Sequence, residues 1–203
     1  MAEPAVEPSI TRRALFVAAP ASGQGKTTVT AGLAVALRRR GQRVAVFKTG
    51  PDYLDPDILA EAAGSPVEPL DLWMAGEAYC GRRLFEAART HDVVLVEGAM
   101  GLYDGVPSSA DFAARFGLPV ALVFDCQGMA QTVGALAAGL AHARDDLSVA
   151  GLVANRVGSQ RHADLIAEAM PADISFLGAV ARETDIALPH RHLGLVGADE
   201  QGT

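Results

Sequence analysis

The chain has 203 residues, and its 17 basic and 24 acidic side chains give a net charge of −7. Half of the residues are apolar, which is enough to bury the core of one domain and excludes a mainly disordered chain. The negative balance argues against non-specific binding to nucleic acid or to a membrane surface. We therefore expect any anionic ligand to be held by a local group of cations.

The cysteine pattern and the hydropathy narrow the protein class further. Cys80 and Cys126 are the only cysteines, and they form neither a C-x-x-C motif nor a disulfide framework. We therefore expect two buried, reduced thiols in a cytoplasmic protein. No run of about 18 apolar residues is present, which predicts no membrane span. Residues 1–13 are predicted to be a flexible tail, and residues 14–203 a single domain.

Short apolar runs alternate with longer segments of helical character along the chain. The predicted strands are rich in β-branched residues and cover 14–19, 44–47, 93–96, 120–124, 149–154 and 174–177. The predicted helices cover 26–40, 76–90, 129–144 and 159–170. This alternation predicts an α/β fold with a mostly parallel sheet and helices on both faces. In such a sheet the carboxyl ends of the strands share one edge, where ligands bind.

A glycine-rich loop follows the first predicted strand and opens the first long helix. Its end, Gly25-Lys26-Thr27, matches the end of the phosphate-binding P-loop pattern G-x-x-x-x-G-K-[ST]. Pro20 stands where that pattern has its first glycine, so the loop entrance differs. We predict a P-loop NTPase-like fold that binds ATP, although an ordinary strand-to-helix turn is an alternative. The predicted ATP-binding residues in this loop are Ser22, Gly23, Gln24, Gly25, Lys26, Thr27 and Thr28.

Acidic residues follow the next two strands of the predicted sheet. Asp52 lies in the segment G-P-D-Y-L-D-P, and Glu97 comes directly after the strand predicted at 93–96. Because Mg²⁺ prefers hard oxygen ligands, we predict that Thr27, Asp52 and Glu97 hold Mg²⁺, directly or through water. Ordinary turn chemistry is an alternative for both loops, with Asp57 then capping the next helix.

Several motifs together resemble the ATP-dependent amidoligase domain of the cobyrinic or hydrogenobyrinic acid a,c-diamide synthases. They are the P-loop with its proline, G-P-D-Y-L-D-P at 50–56 and E-G-A-M-G-L-Y-D-G at 97–105. Shorter matches occur at 70–74 (L-D-L-W-M), 125–131, 155–159 and 191–196. Many NTPases share the P-loop, whereas the segments at 50–56 and 97–105 are far more selective. The order of the motifs is kept from about residue 14 to the end of the chain.

The resemblance implies a C–N ligase of cobalamin biosynthesis that uses ATP and Mg²⁺. Its substrate would be a corrinoid polycarboxylate, whose a and c carboxylates would be activated as acyl phosphates and attacked by ammonia. Members of this family usually carry a glutaminase domain with a nucleophilic cysteine, and neither cysteine here stands in such a motif. We therefore expect the ammonia to come from a glutaminase domain or a partner chain.

The same resemblance implies roles for individual residues. Lys48 would orient the γ-phosphate or the substrate carboxylate, and Asp55 or Asp104 would hold ammonium and accept its proton. Asn155 resembles an adenine-reading residue of related folds, with a turn or a helix cap as an open alternative. The predicted catalytic residues are Lys48, Asp52, Tyr53, Leu54, Asp55 and Asp104.

Trp73 and Met74 have two interpretations. They can stack on the flat face of a macrocycle. A lone tryptophan in an apolar stretch more often packs in the core or in a lid, and packing is our prediction here.

Two other functions fit a P-loop domain of this length. The first is a dethiobiotin synthetase-like carboxylase or ligase, which the segments at 50–56 and 70–74 disfavour. The second is a MinD/ParA-like ATPase switch. That class usually has an additional lysine early in its P-loop, where this chain has Ala21 and Ser22.

Overall fold

Seven parallel strands form a single sheet in the computed structural model, which describes residues 14–50 and 55–182. The strands are β1 (Ala14–Ala18), β2 (Val44–Thr49), β3 (Glu68–Leu70), β4 (Val93–Glu97), β5 (Val120–Asp125), β6 (Val149–Val157) and β7 (Ser175–Ala181). Their order across the sheet is β3-β2-β4-β1-β5-β6-β7, and all neighbouring pairs are parallel. The predicted α/β fold with a parallel sheet is confirmed.

The helices cover the two faces of the sheet in two groups. The helices are α1 (Lys26–Arg39), α2 (Asp55–Ala63), α3 (Glu77–Thr90), α4 (Ser109–Arg115), α5 (Thr132–Ala141) and α6 (Gln160–Glu168). Side chains of α1 and α2 pack in one apolar cluster, and side chains of α3 to α6 pack in another. Right-handed crossovers explain this division, because the chain moves outwards to β3 along one face and returns along the other.

The central strands are apolar throughout because both of their faces are covered. In β4, Val94 and Val96 belong to the cluster with α3 to α6, whereas Leu95 belongs to the cluster with α1 and α2. On β1, the ring of Phe16 packs against Phe112 of α4, with 5.8 Å between ring centroids. Within the described ranges, the structure has no helix long and apolar enough to cross a membrane.

Three elements are absent from the sequence-based prediction, namely α2, β3 and α4. Strand β3 has only three residues, including Pro69, and it exists because it pairs with β2. Helix α4 has seven residues and begins at a capping box formed by Ser108 and Asp111. Elements this short carry too little hydrophobic periodicity to be recognised. Asp57 lies inside α2 rather than capping it, so the alternative role of Asp57 as a helix cap was wrong.

Candidate nucleotide-binding site

The predicted P-loop lies at the carboxyl end of β1, in the middle of the sheet. From β1 the chain moves to β2 on one side, and it later continues to β5 on the other, so this position is a topological switch point. Gly23 and Gly25 have φ values of +77° and +89°, which glycine adopts without strain. Gly25 occupies the N-cap of α1. The loop therefore has the turn and the helix N-terminus that anion binding requires.

Lys26 connects the P-loop with the loop that follows β4. Its ammonium donates a hydrogen bond to the carbonyl of Met100 at 2.6 Å and contacts the carbonyl of Ala21 at 3.4 Å. The side chain is only 7% exposed. The ammonium is thus held beside the loop, where a P-loop lysine meets the outer phosphates.

Thr27, Lys48 and Glu97 meet at one carboxylate oxygen. The Thr27 hydroxyl donates to Glu97 Oε1 at 2.8 Å, and the Lys48 ammonium donates to the same oxygen at 2.7 Å. Lys48 and Glu97 face each other on the paired strands β2 and β4, and both are buried. Lys26 and Lys48 are the only lysines in the sequence, so the site concentrates positive charge on an acidic protein.

The described residues include two of the three predicted magnesium ligands. The hydroxyl of Thr27 and the carboxylate of Glu97 are hard oxygen donors, which is the donor type that Mg²⁺ requires. They lie within hydrogen-bond distance of each other, so one cation can contact both. These two residues therefore fit a magnesium site, to which Asp52 would add a further carboxylate.

Asn155, on β6, forms a hydrogen bond to the P-loop. Its Nδ2 donates to the carbonyl of Gln24 at 2.9 Å, and Gln24 Oε1 accepts from the backbone N–H of Asp125 at 2.8 Å. A Cβ atom on Gly25 would lie 2.1 Å from Asn155 Nδ2. Sequence reasoning missed this support role, because Gln24 and Asn155 are 131 residues apart.

The two alternatives for Asn155 as a turn or capping residue were wrong. Asn155 lies inside β6, beyond the predicted end of that strand. Ser159 is the N-cap of α6, and its hydroxyl accepts from the backbone N–H of His162 at 3.2 Å. The adenine-reading role of Asn155 stays a prediction.

Asp104 lies beside the entrance of the P-loop. Its carboxylate accepts from the backbone N–H of Gly101 at 3.0 Å and is solvent-exposed. A Cβ atom on Gly101 would lie 2.7 Å from the carbonyl of Pro20, so the two loops touch. The backbone N–H of Leu102 donates to the carbonyl of Ala19 at 2.8 Å. Asp104 is therefore close to the nucleotide loop, while its proposed role towards ammonia stays a prediction.

Residues 15–196 match the family described as the CobQ/CobB/MinD/ParA nucleotide binding domain. The chain belongs to this family. The chain is 58% identical over 187 residues to the hydrogenobyrinate a,c-diamide synthase of Stutzerimonas stutzeri, covering 92% of this chain and 44% of the relative.

A second curated relative is the cobyrinate a,c-diamide synthase of Herminiimonas arsenicoxydans, which is 51% identical over 95% of this chain and 43% of the relative. The chain thus spans less than half the length of these curated relatives.

Among solved structures, the signal recognition particle receptor FtsY of Elizabethkingia anophelis has a TM-score of 0.65 at 18% identity, covering 91% of this chain and 63% of the receptor. A nucleotide-binding protein of Archaeoglobus fulgidus in complex with ADP has a TM-score of 0.56 at 19% identity, covering 88% of this chain and 87% of that protein. The two structures support the fold alone.

Several predicted site residues lie outside the residues that the structure describes. Asp52, Tyr53 and Leu54 lie outside the described residues, as does the segment 191–196. Asp55 is the first residue of α2, which begins at the carboxyl edge of the sheet after β2. Ser22 is exposed at the tip of the P-loop, and Thr28 lies in the first turn of α1.

Two hydroxyl side chains that sequence reasoning missed hold the loop after β4. Thr49 Oγ1 accepts from the backbone N–H of Ala99 at 3.0 Å, and the Ser109 hydroxyl donates to the carbonyl of Ala99 at 2.9 Å. No local motif marks either residue, because Thr49 acts across 50 residues and Ser109 across 10. Together they fix the path of the backbone between Glu97 and Met100.

The cysteines agree with the prediction of buried thiols. Cys80 and Cys126 are free and fully buried. Burial raises the pKa of the Cys126 thiol to about 11 and also raises the pKa of Cys80. Because the thiolate is the nucleophilic form, both residues are poorly suited to nucleophilic catalysis.

The prediction that Trp73 packs in the core or in a lid was wrong. Trp73 is 83% exposed and Met74 is 64% exposed. The carboxylate of Asp71 accepts the backbone N–H groups of both residues, at 2.8 and 2.9 Å. This local turn directs the two side chains into solvent just after β3.

Proposed function

We propose that the chain is the ATP-dependent amidoligase domain of a hydrogenobyrinate or cobyrinate a,c-diamide synthase, a cytoplasmic enzyme of cobalamin biosynthesis. The proposal rests on the convergence of Lys26, Thr27, Lys48 and Glu97 at the carboxyl edge of the sheet. It is supported by 58% identity to a hydrogenobyrinate a,c-diamide synthase. The substrate in this proposal is a corrinoid polycarboxylate.

ATP binding in this proposal uses the P-loop. The backbone N–H groups of residues 23–26 and the N-terminus of α1 bind the phosphates. Lys26 needs only to exchange its bond with the Met100 carbonyl for a bond to an outer phosphate oxygen. Thr27, Glu97 and Asp52 hold Mg²⁺, which neutralises developing negative charge when bound. Asn155 keeps Gln24 in position and is the proposed contact of the adenine.

Activation of the substrate requires phosphoryl transfer, because a carboxylate is a poor electrophile. A carboxylate oxygen forms a bond to the γ-phosphorus while the bond from that phosphorus to the bridging oxygen of ADP breaks. The protein contributes positioning and charge stabilisation. Lys48 is the second-last residue of β2 and shortly precedes the segment 50–56, where Asp52, Tyr53 and Leu54 are proposed to line the reacting carboxylate. The ion pair with Glu97 keeps the Lys48 ammonium in a fixed position beside that carboxylate.

Amide formation consumes the acyl phosphate. The ammonia nitrogen forms a bond to the acyl carbon, the carbon–oxygen bond to phosphate breaks, and inorganic phosphate leaves. The nitrogen loses a proton in this step, and Asp55 or Asp104 is the proposed acceptor. Ammonia comes from a glutaminase domain or from a partner chain.

A direct assay tests the proposal. The purified chain is incubated with ATP, Mg²⁺, ammonium chloride and hydrogenobyrinate, and the acid is analysed by mass spectrometry. We expect conversion of one or two carboxylates to amides with matching ADP release, lost in Lys26→Met and retained in Leu136→Ala, a change on the exposed face of α5.

Two results would contradict the proposal. One is turnover of the diamino-acid precursor of dethiobiotin with no turnover of either hydrogenobyrinate or cobyrinate. The other is ATP hydrolysis that ignores every acid substrate and responds only to self-association or to a protein partner, which is the behaviour of a MinD/ParA-like switch.

A further inference from the structure

The strand order separates the residue proposed to contact the adenine from those proposed for the outer phosphates and Mg²⁺ along the sheet edge. Asn155 of β6 lies on one side of the P-loop, and Glu97 of β4 and Lys48 of β2 lie on the other. The charged groups suited to the outer phosphates are therefore on the side of β2 and β3. Because phosphoryl transfer needs the acceptor in line beyond the γ-phosphate, the acceptor is expected on that side.

The next loop in this direction carries the exposed apolar residues Trp73 and Met74. It begins after Leu70, whose carbonyl accepts from the backbone N–H of Gly50 at 3.4 Å. The loop after β3 is therefore adjacent to the loop after β2. Neighbouring strands are about 4.8 Å apart, so the loop after β3 begins about 10 Å from the carboxyl end of β4.

The exposure of these two side chains is built into the loop. Asp71 accepts the backbone N–H groups of Trp73 and Met74, and the backbone N–H of Ala75 donates to the Asp71 carbonyl at 3.0 Å. A hydrogen-bonded turn of this kind fixes the backbone from which the indole ring extends into solvent. Large apolar side chains held in solvent next to a site commonly mark a binding surface.

The loop after β4 adds a third exposed apolar side chain. Val106 is 99% exposed. Leu72, the neighbour of Trp73, lines the same cavity of about 470 Å³ as Val106 and Pro107. The loop that carries Trp73 and the loop that carries Val106 therefore face each other across that cavity. The cavity between the two loops is also lined by the charged residues Asp111, Arg115, Arg144 and Asp146, so the exposed apolar side chains border a partly charged surface.

We propose that Trp73, Met74 and Val106, here called the macrocycle platform, bind the flat face of the tetrapyrrole-type ring that carries the reacting carboxylates. This inference rests on the proposed function. An indole stacks on a flat conjugated ring, and the ring's peripheral carboxylates then extend from the platform towards Lys48 and the γ-phosphate. Asp71 is a positioning residue for the platform.

The test compares binding of hydrogenobyrinate and of ATP by equilibrium dialysis in matched variants. We expect Trp73→Ala to raise the Kd for hydrogenobyrinate about tenfold, since stacking and burial of one aromatic ring are lost. The Kd for ATP is expected to stay unchanged. Trp73→Phe should recover much of the affinity, and Leu136→Ala, which removes an exposed apolar side chain elsewhere, should have no effect.

Steady-state assays supply a second measurement. Trp73→Ala should raise KM for hydrogenobyrinate and leave kcat unchanged, because the platform contacts the ring equally in the ground state and the transition state. Asp71→Ala should also raise this KM while the ring of Trp73 is still present. Thermal unfolding shows whether each variant folds, and the exposure of Trp73 predicts an unchanged midpoint.

Different outcomes separate the two proposals. If the wild-type chain binds hydrogenobyrinate and Trp73→Ala binds it equally well, the platform is overturned and the proposed function stands. The same holds if Trp73→Ala alters only association with a protein partner. If the wild-type chain binds ATP but neither hydrogenobyrinate nor cobyrinate, the proposed function itself is wrong, and the platform is wrong with it.

Discussion

Gly25 is the most constrained residue of the nucleotide loop. It has a φ of +89°, and a Cβ atom would lie 2.1 Å from Asn155 Nδ2. We expect Gly25→Ala to destabilise the fold by about 1–3 kcal/mol and to weaken ATP binding, because the loop must shift to avoid both strain and collision. Urea denaturation and nucleotide titration measure the two effects.

Gly23→Ala is the matched control for this clash. Gly23 has a φ of +77° but has no atom within 4 Å of its Cβ position among the described residues. It should therefore cost less than Gly25→Ala. Adding Asn155→Ala to Gly25→Ala should recover part of the loss, because the amide that the new methyl group meets is removed. Equal losses in the two glycine variants would show that the close approach of Asn155 is unimportant.

Lys48 and Glu97 form an ion pair of which neither partner is accessible to solvent. We expect Lys48→Met to reduce the free energy of unfolding by about 3–5 kcal/mol, because it leaves a buried carboxylate without its ammonium partner. The double variant Lys48→Met/Glu97→Leu should be markedly more stable than Lys48→Met alone, since no buried charge remains. Chemical denaturation measures both.

Arg43 provides the comparison with an exposed pair. Its guanidinium lies 2.9 Å from Asp92, and the two side chains are 64% and 40% exposed. Arg43→Met should therefore lower the free energy of unfolding far less than Lys48→Met does, because solvent screens this pair. A similar loss of unfolding free energy in Arg43→Met and Lys48→Met would show that burial does not determine how strongly an ion pair affects stability.

At the scale of elements, α4 depends on a capping box that is also sensitive to pH. The backbone N–H of Ser108 and then the guanidinium of Arg144 lower the pKa of Asp111 from 3.8 to about 2. A carboxyl whose pKa is lower in the folded state stabilises the fold above its unfolded pKa. This contribution is therefore complete above about pH 4 and is lost as the pH falls from there towards 2.

Asp111→Asn tests this contribution. We expect it to lower stability near pH 7 by at most about 1 kcal/mol, because the side chain is 43% exposed and solvent screens its interactions. The difference from the wild type should shrink as the pH falls from 4 towards 2. Urea midpoints measured across that range check the trend, with Asp145→Asn on an exposed loop as the control. A difference that is constant with pH would contradict the assignment.

At the scale of the whole molecule, nucleotide binding should stabilise the complete fold. The P-loop connects the central strand β1 to α1 and is bonded to the loops after β4 and β5. A ligand that binds only the folded state at about 100 times its Kd stabilises it by about 2.7 kcal/mol. We expect ATP with Mg²⁺ to raise the thermal midpoint of the wild type.

Lys26→Met should lose most of that thermal shift. Its own midpoint without ATP should stay close to the wild-type value, so that a loss of binding is distinguishable from unfolding. An undiminished shift in Lys26→Met would contradict the role of Lys26 in phosphate binding.

The sequence alone was sufficient for the class of the fold and for the nucleotide loop, because both signals are local. Strands covered on two faces are continuous apolar runs, and the P-loop is one contiguous segment between a strand and a helix. Short elements such as β3 were not predictable, because a strand of three residues containing a proline exists only through its partner β2.

Only the tertiary structure decided which distant residues meet. The sequence predicted Thr27 and Glu97 at one magnesium site but not their direct hydrogen bond across 70 residues, and it did not predict the hydrogen bond between Gln24 and Asn155 across 131 residues. These contacts depend on the order β3-β2-β4-β1-β5-β6-β7, which follows from how the helices cover both faces and not from any local motif. The same holds for Trp73, which the sequence predicted to pack in the core or in a lid and which lies in solvent beside the turn at Asp71.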